Sequence, residues 1–112
     1  MLSQKISGSS SNENTPTKQV NPAVYQKAQP GKEFIFRLSN GKEVARAVSV
    51  QEFASKLKSV PVESLEFHAS GKHFGPWLRY MKLNVVADSV DSLTSKGEKL
   101  RHDLENLFNI LL

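Results

Sequence analysis

The sequence predicts an α+β domain: an N-terminal β-hairpin packed on a small bundle of about five short helices, preceded by a disordered tail. Three observations predict it. Residues 33–48 alternate apolar and polar about an Asn-Gly pair, residues 49–112 switch to helical spacing with repeated cap signals, and residues 3–29 hold few side chains worth burying. The 112 residues fit one domain, divided into a polar, basic tail over 1–31 and a folded unit over 32–112.

Ser3–Gln29 is rich in Ser, Asn, Gln, Thr, Pro and Lys, so it cannot recover its ordering entropy by burial. It reads as a solvated tail or as a basic arm that orders on a nucleic acid or partner, with Val20, Val24 and Tyr25 as docking residues. Order is expected to begin near Pro30-Gly31. Glu33–Leu38 (EFIFRL) places Phe34, Phe36 and Leu38 on one strand face. Asn40-Gly41 marks the turn, because both residues accept positive φ cheaply, and Glu43–Val48 (EVARAV) returns as the second strand.

Ser49-Val50-Gln51-Glu52 is a capping box that opens a helix through about Lys58, with Val50, Phe53, Ala54 and Leu57 as its apolar stripe. Pro61 suits the first position of a second helix, Glu63 suits its positive end, and Gly71 suits a left-handed cap. A third helix is expected from about Pro76, or from His73, to Met81. A fourth carries Leu83, Val85, Val86, Ala87, Val90 and Leu93, and Lys96-Gly97 separates it from a last helix over residues 98–112. Two strands are not stable alone, so the helices must cover the Phe face.

Composition narrows function less than the pI of about 9.5 suggests. Of the +4 net charge, residues 1–32 carry +3 (four lysines against Glu13) and residues 33–112 only +1. The absence of cysteine excludes disulfides, thiolate catalysis and Cys-based zinc sites, and fits an intracellular, thermophile-like protein. No apolar run approaches a membrane span and the start lacks a signal-peptide core, which makes the cytoplasm the expected compartment.

Chemistry concentrates in Lys72–Lys82, KHFGPWLRYMK, which holds Phe74, Trp77, Tyr80, three fixed cations and no acid. Rings interleaved with cations suit a single-stranded nucleic acid, because bases stack on rings while phosphates pair with Lys and Arg. Read as a helix, the stretch divides. Phe74, Trp77, Leu78 and Met81 form one stripe suited to a core, whereas Lys72, Arg79, Tyr80 and Lys82 fall outside it. Arg37, Lys42 and Arg46 of the hairpin give a second basic edge, read either as part of the same cleft or as solubility and edge protection.

No nucleotide-binding, hydrolase or metalloprotease motif is present, and His68, His73 and His102 match no metal spacing. The expectation is a non-enzyme with no cofactor and no metal. In the last helix Leu100, Leu104, Leu107 and Leu111 form a short heptad seam. It packs on the domain's own core or makes a homodimer through Leu104, Leu107, Phe108 and Leu111.

The string FRLSNGKEVARAVSVQEFASKLKSVPVESLEFHASGKHFGPWL, with its E-F-H and F-x-x-W-L elements, resembles the archaeal single-stranded DNA-binding proteins of Thermoproteales (ThermoDBP) and related small archaeal domains of unknown function. The resemblance covers residues 33–112. It implies an α+β domain with a hydrophobic cleft flanked by basic residues, single-strand binding with little sequence preference, and dimers through the C-terminal helix. Its positions map to Phe36, Arg37, Phe74, Trp77, Arg79 and Tyr80. The combined expectation is a binder of single-stranded DNA or RNA using Phe36, Arg37, Lys42, Arg46, Lys72, Phe74, Trp77, Arg79, Tyr80 and Lys82. The alternative is a protein-interaction module that docks through its basic tail on a ribonucleoprotein such as the ribosome, or on a polymerase.

Overall fold

The hairpin forms where the alternation places it, but its turn is longer than a two-residue Asn-Gly loop. In the computed structural model, which describes residues 26–111, β1 (Phe34–Arg37) pairs antiparallel with β2 (Glu43–Ala47). The Leu38 N–H donates to Lys42 O at 2.9 Å and the Gly41 N–H donates to Leu38 O at 2.8 Å. Only Gly41 takes a positive φ there, +90°. A three-residue loop of this kind needs one left-handed residue rather than two. A second irregularity falls between Phe36 and Arg37, where Phe36 faces Ala45 but Arg37 faces Glu43. The extra residue, Val44, ends the regular ladder. The Arg37 N–H points away from β2, along the open edge of β1, and donates to His68 Nε2 at 2.8 Å.

Five helices follow: α1 (Val50–Lys56), α2 (Val62–Ser70), α3 (Phe74–Tyr80), α4 (Asn84–Asp91) and α5 (Gly97–Leu111). The capping box is present in a stretched form. Ser49 Oγ accepts the Glu52 N–H at 3.1 Å, while Glu52 Oε1 reaches one residue further back, to the Val48 N–H at 3.0 Å. α1 stops at Lys56, short of Lys58, because its last turn is held from outside. Arg101 of α5 donates to Leu57 O at 2.8 Å and Val60 O at 2.9 Å, satisfying carbonyls the helix leaves open. Pro61 is the N-cap of α2 rather than its first residue, and α3 starts two residues before Pro76.

The polar tail expected over residues 1–31 lies outside the described residues as far as position 25. Residues 26–31 belong with the fold, which moves the expected boundary at 32. Lys27 bridges to Ser49, and the Ala28 N–H donates to Val48 O at 2.6 Å. Among the described residues no helix is long and apolar enough to cross a membrane.

The core is an aromatic cluster between the hairpin and the helices. Phe34 meets Phe36, Phe53, Phe74 and Trp77 with ring centroids 4.9–5.7 Å apart, and Phe53 reaches Phe108 at 5.3 Å. The stripe Phe74, Trp77, Leu78 and Met81 is buried, as the helix spacing predicts. Val85, expected on the α4 stripe, is exposed.

The α2 and α3 ends depart from the glycine expectation. Gly71 has φ −85°, and the next residue, Lys72, takes the left-handed conformation at +58°. Lys82 repeats this after α3 at +71°. Both ends are Schellman motifs: the His73 N–H donates to His68 O and the Leu83 N–H to Leu78 O, each at 2.9 Å. Gly71 is needed for another reason, since a Cβ there would overlap the His73 ring.

Two expected outcomes follow from these ends. Left-handed backbone costs a lysine about 1–2 kcal/mol, partly offset by the larger unfolded-state entropy of glycine, so Lys82→Gly should stabilise the fold by roughly 0.5–1 kcal/mol. A urea midpoint below wild type would contradict that. The second concerns His68, whose pKa is pulled from 6.5 to about 4 by burial first, then by His73 and Arg37. The folded protein holds this proton more weakly than the unfolded chain, so the stabilisation is complete above 6.5 and lost as pH falls through about 4. The loss should amount to about 3 kcal/mol, measured as a falling urea midpoint across that window and flattened in His68→Gln.

Candidate nucleic-acid interface

Of the residues the sequence marks for binding, the structure places the rings mainly inside. Phe36 is 0% exposed, Phe74 1% and Trp77 9%. Trp77 also packs flat on Phe53, and its Nε1–H donates to Lys32 O at 2.7 Å. None of the three offers an open face for a base, which corrects their expected stacking role. The physical reason is area: a two-stranded sheet needs every large ring nearby to close its core.

The cations divide as well. Arg37 turns to the hairpin loop, donating to Gly41 O at 2.9 Å, and Lys42 stands exposed at the hairpin tip. Arg46 is clamped by Glu43 through two bonds of 2.6 and 2.9 Å, and its guanidinium holds the Glu43 carboxyl below the usual range. Lys72 donates from Nζ to Asp91 O at 3.0 Å. Arg79 bonds Asp88 at 2.7 Å and Asp91 at 3.1 Å, so its charge is answered within the protein. Of the cations expected on the two basic edges, Lys82 lines the groove beside Tyr80.

What the structure does bring together is Tyr80 and Lys82, from the C-terminal end of α3, with Gln26, Lys27 and Gln29. With Met81 they line a groove of about 270 Å³ that contains no acid. Tyr80 is 41% exposed, and its hydroxyl accepts the Gln29 N–H at 3.1 Å, which pins the ring beside the incoming chain. Lys32 enters the same end of the fold through its carbonyl bond to Trp77. Lys27 and Gln29 were not expected here, because nothing in a polar, uncapped stretch marks which residues will pair with the sheet end.

The α5 seam is also reassigned. Leu104 is 0% exposed and Phe108 5%, both within this chain's own core, so neither is available to a second copy. Leu107 packs partly against that core. Ile110 and Leu111 remain, 69% and 38% exposed. No family model, no curated protein and no solved structure matches this chain.

Arg79 has a structural task that its position in KHFGPWLRYMK conceals. Gly75 is buried under the Asp91 carboxylate, and a Cβ there would lie 2.5 Å from Asp91 Oδ2 and 2.8 Å from Arg79 Nη1. Gly75→Ala should therefore part the Arg79–Asp91 pair with little net change in stability, because the groups that must move are the ends of two partly exposed side chains and alanine suits a helix better than glycine. Arg79→Ala should lower the melting temperature, because it leaves Asp88 and Asp91 without their guanidinium partner. An affinity loss with unaltered stability would instead make Arg79 a contact residue.

Proposed function

We propose that this protein is a non-catalytic nucleic-acid-binding module that holds single-stranded DNA or RNA at the Tyr80 groove, with little sequence specificity. The observation that carries the reading is the acid-free lining: a half-exposed aromatic ring in a groove that Lys27 and Lys82 also line. A ring of that kind accepts any base by stacking, and the two lysines, with Lys32 nearby, suit the flanking phosphates. The resemblance to archaeal single-stranded DNA-binding proteins points to the same segment through Tyr80. The site is small, so its binding is weak, and with two or three phosphate contacts its salt slope is shallow, about −1.4 to −2.1 for a single strand.

Fluorescence anisotropy with a labelled single-stranded oligonucleotide tests this. Tyr80→Ala should weaken binding by roughly 1–3 kcal/mol, the worth of one stacked base. Lys82→Gly removes a charge while relaxing the backbone, so affinity and the salt slope should fall (by about 0.7 per lost phosphate contact) in a protein that is more stable than wild type. Absence of any anisotropy change at low salt would end the proposal.

A second reading, a protein-interaction module docking on a ribonucleoprotein, is favoured by the apolar end of α5 at Ile110 and Leu111. Nuclease treatment separates the two readings. Association with ribonucleoprotein that survives nuclease and is lost in Leu111→Glu supports protein contact, whereas loss on nuclease treatment alone supports nucleic acid.

A further inference from the structure

The joint between β1, α2 and α3 is closed by two histidines in series. His68 is buried, 4% exposed, and is ringed by Phe34, Phe36, Phe67 and Phe74. Its Nε2 receives the Arg37 N–H at 2.8 Å, and its Nδ1 lies 3.0 Å from Nδ1 of His73. His73 is exposed to solvent and is the N-cap residue, just before α3. It lies over Gly71, where a side chain would displace it.

Counting protons along this chain leaves one arrangement. A backbone N–H always carries its hydrogen, so Nε2 of His68 must be bare. A neutral His68 then carries its proton on Nδ1 and donates it to His73, whose own Nδ1 must be bare and whose proton sits on Nε2. A metal ion between the two Nδ1 atoms is excluded by the same count, because it would displace the His68 proton to the nitrogen facing Arg37. Each contact holds one hydrogen, and the chain has no acceptor left.

We propose that the His68–His73 pair is an acid-sensitive latch that seats the start of α3 against β1 and opens when His73 takes up a proton. The added proton can enter only at Nδ1 of His73, which sets two N–H groups against each other across 3.0 Å. The exposed ring is the one free to move, so His73 swings away while His68 keeps its bond to Arg37. The charged and titratable groups that face the pair are Arg37 from β1 and the two histidines themselves, with Lys72 adjacent in the turn but drawn to Asp91 O. Among the described residues no carboxylate bonds either ring that would stabilise the protonated form. The low proton affinity of buried His68 agrees with its keeping the neutral, donating state. The device couples outside acidity to the seating of α3, the helix whose far end carries Tyr80.

Nitrogen-15 NMR of the full chain tests the latch. At neutral pH His68 should carry its proton on Nδ1 and His73 on Nε2, with a scalar coupling between the two Nδ1 nitrogens through the shared hydrogen. The coupling should disappear in step with His73 protonation. His73→Asn offers a carbonyl acceptor that does not titrate, so it should keep the His68 tautomer and hold the His68 Nδ1 hydrogen bond through the pH range in which the wild-type coupling disappears. Gly71→Ala, which crowds His73, should lack the His73 contact at every pH, and if that variant does not fold, the wild-type and His73→Asn titrations decide alone. A His68 proton on Nε2 at neutral pH, a coupling that survives full protonation of His73, or loss of the His68 Nδ1 hydrogen bond over that same pH range in His73→Asn would overturn the proposal.

Discussion

A sheet of two strands has a single face to bury and no neighbour to share the work, so everything in this protein depends on covering Phe34 and Phe36. Phe53 from α1, Phe74 and Trp77 from α3 and, through Phe53, Phe108 from α5 converge on that face with edge-on and tilted ring contacts. The ring arrangement suits the quadrupoles of the side chains, and each ring removes a large apolar area from water. Without this cluster the hairpin has no stable partner and the helices have no common surface.

Polar clamps then hold the elements at the positions the rings require. Arg101 ties α5 to the end of α1 by backbone carbonyls, and Glu66 Oε2 accepts the Gly97 N–H at 2.7 Å, joining α2 to the start of α5. His68 ties α2 to the bulged end of β1. These bonds satisfy groups that the core would otherwise strand without water, so they protect against a cost more than they add a gain. Buried Ser64 Oγ is the exception among the described residues, with no hydrogen-bond partner.

Using the aromatics for the core decides what is left for binding. Seven of the ten residues marked by sequence have their ring buried or their charged group held by a partner within the chain: Phe36, Phe74, Trp77, Arg37, Arg46, Lys72 and Arg79. A small domain cannot easily use the same ring as core and as stacking platform, since an open face forfeits the packing that keeps the hairpin in place. The candidate site accordingly sits at the margin of the cluster, where Tyr80 is the first ring of the α3 segment to turn outward.

Local spacing by itself determined much of this protein. The alternation in EFIFRL and EVARAV, the Ser49–Glu52 cap and the i, i+3, i+4 stripes set the hairpin, the helices and the split of KHFGPWLRYMK into a buried stripe and an exposed edge, because each depends on residues a few positions apart. Tertiary structure alone decided the rest. Lys27 and Gln29 join Tyr80 across 50 residues of chain or more, Arg101 reaches the end of α1, Asp88 and Asp91 neutralise Arg79, and His68 receives the Arg37 N–H on the open edge of β1. A charge in a sequence shows that it must be solvated or paired; which of the two happens depends on a partner that only folding brings within reach.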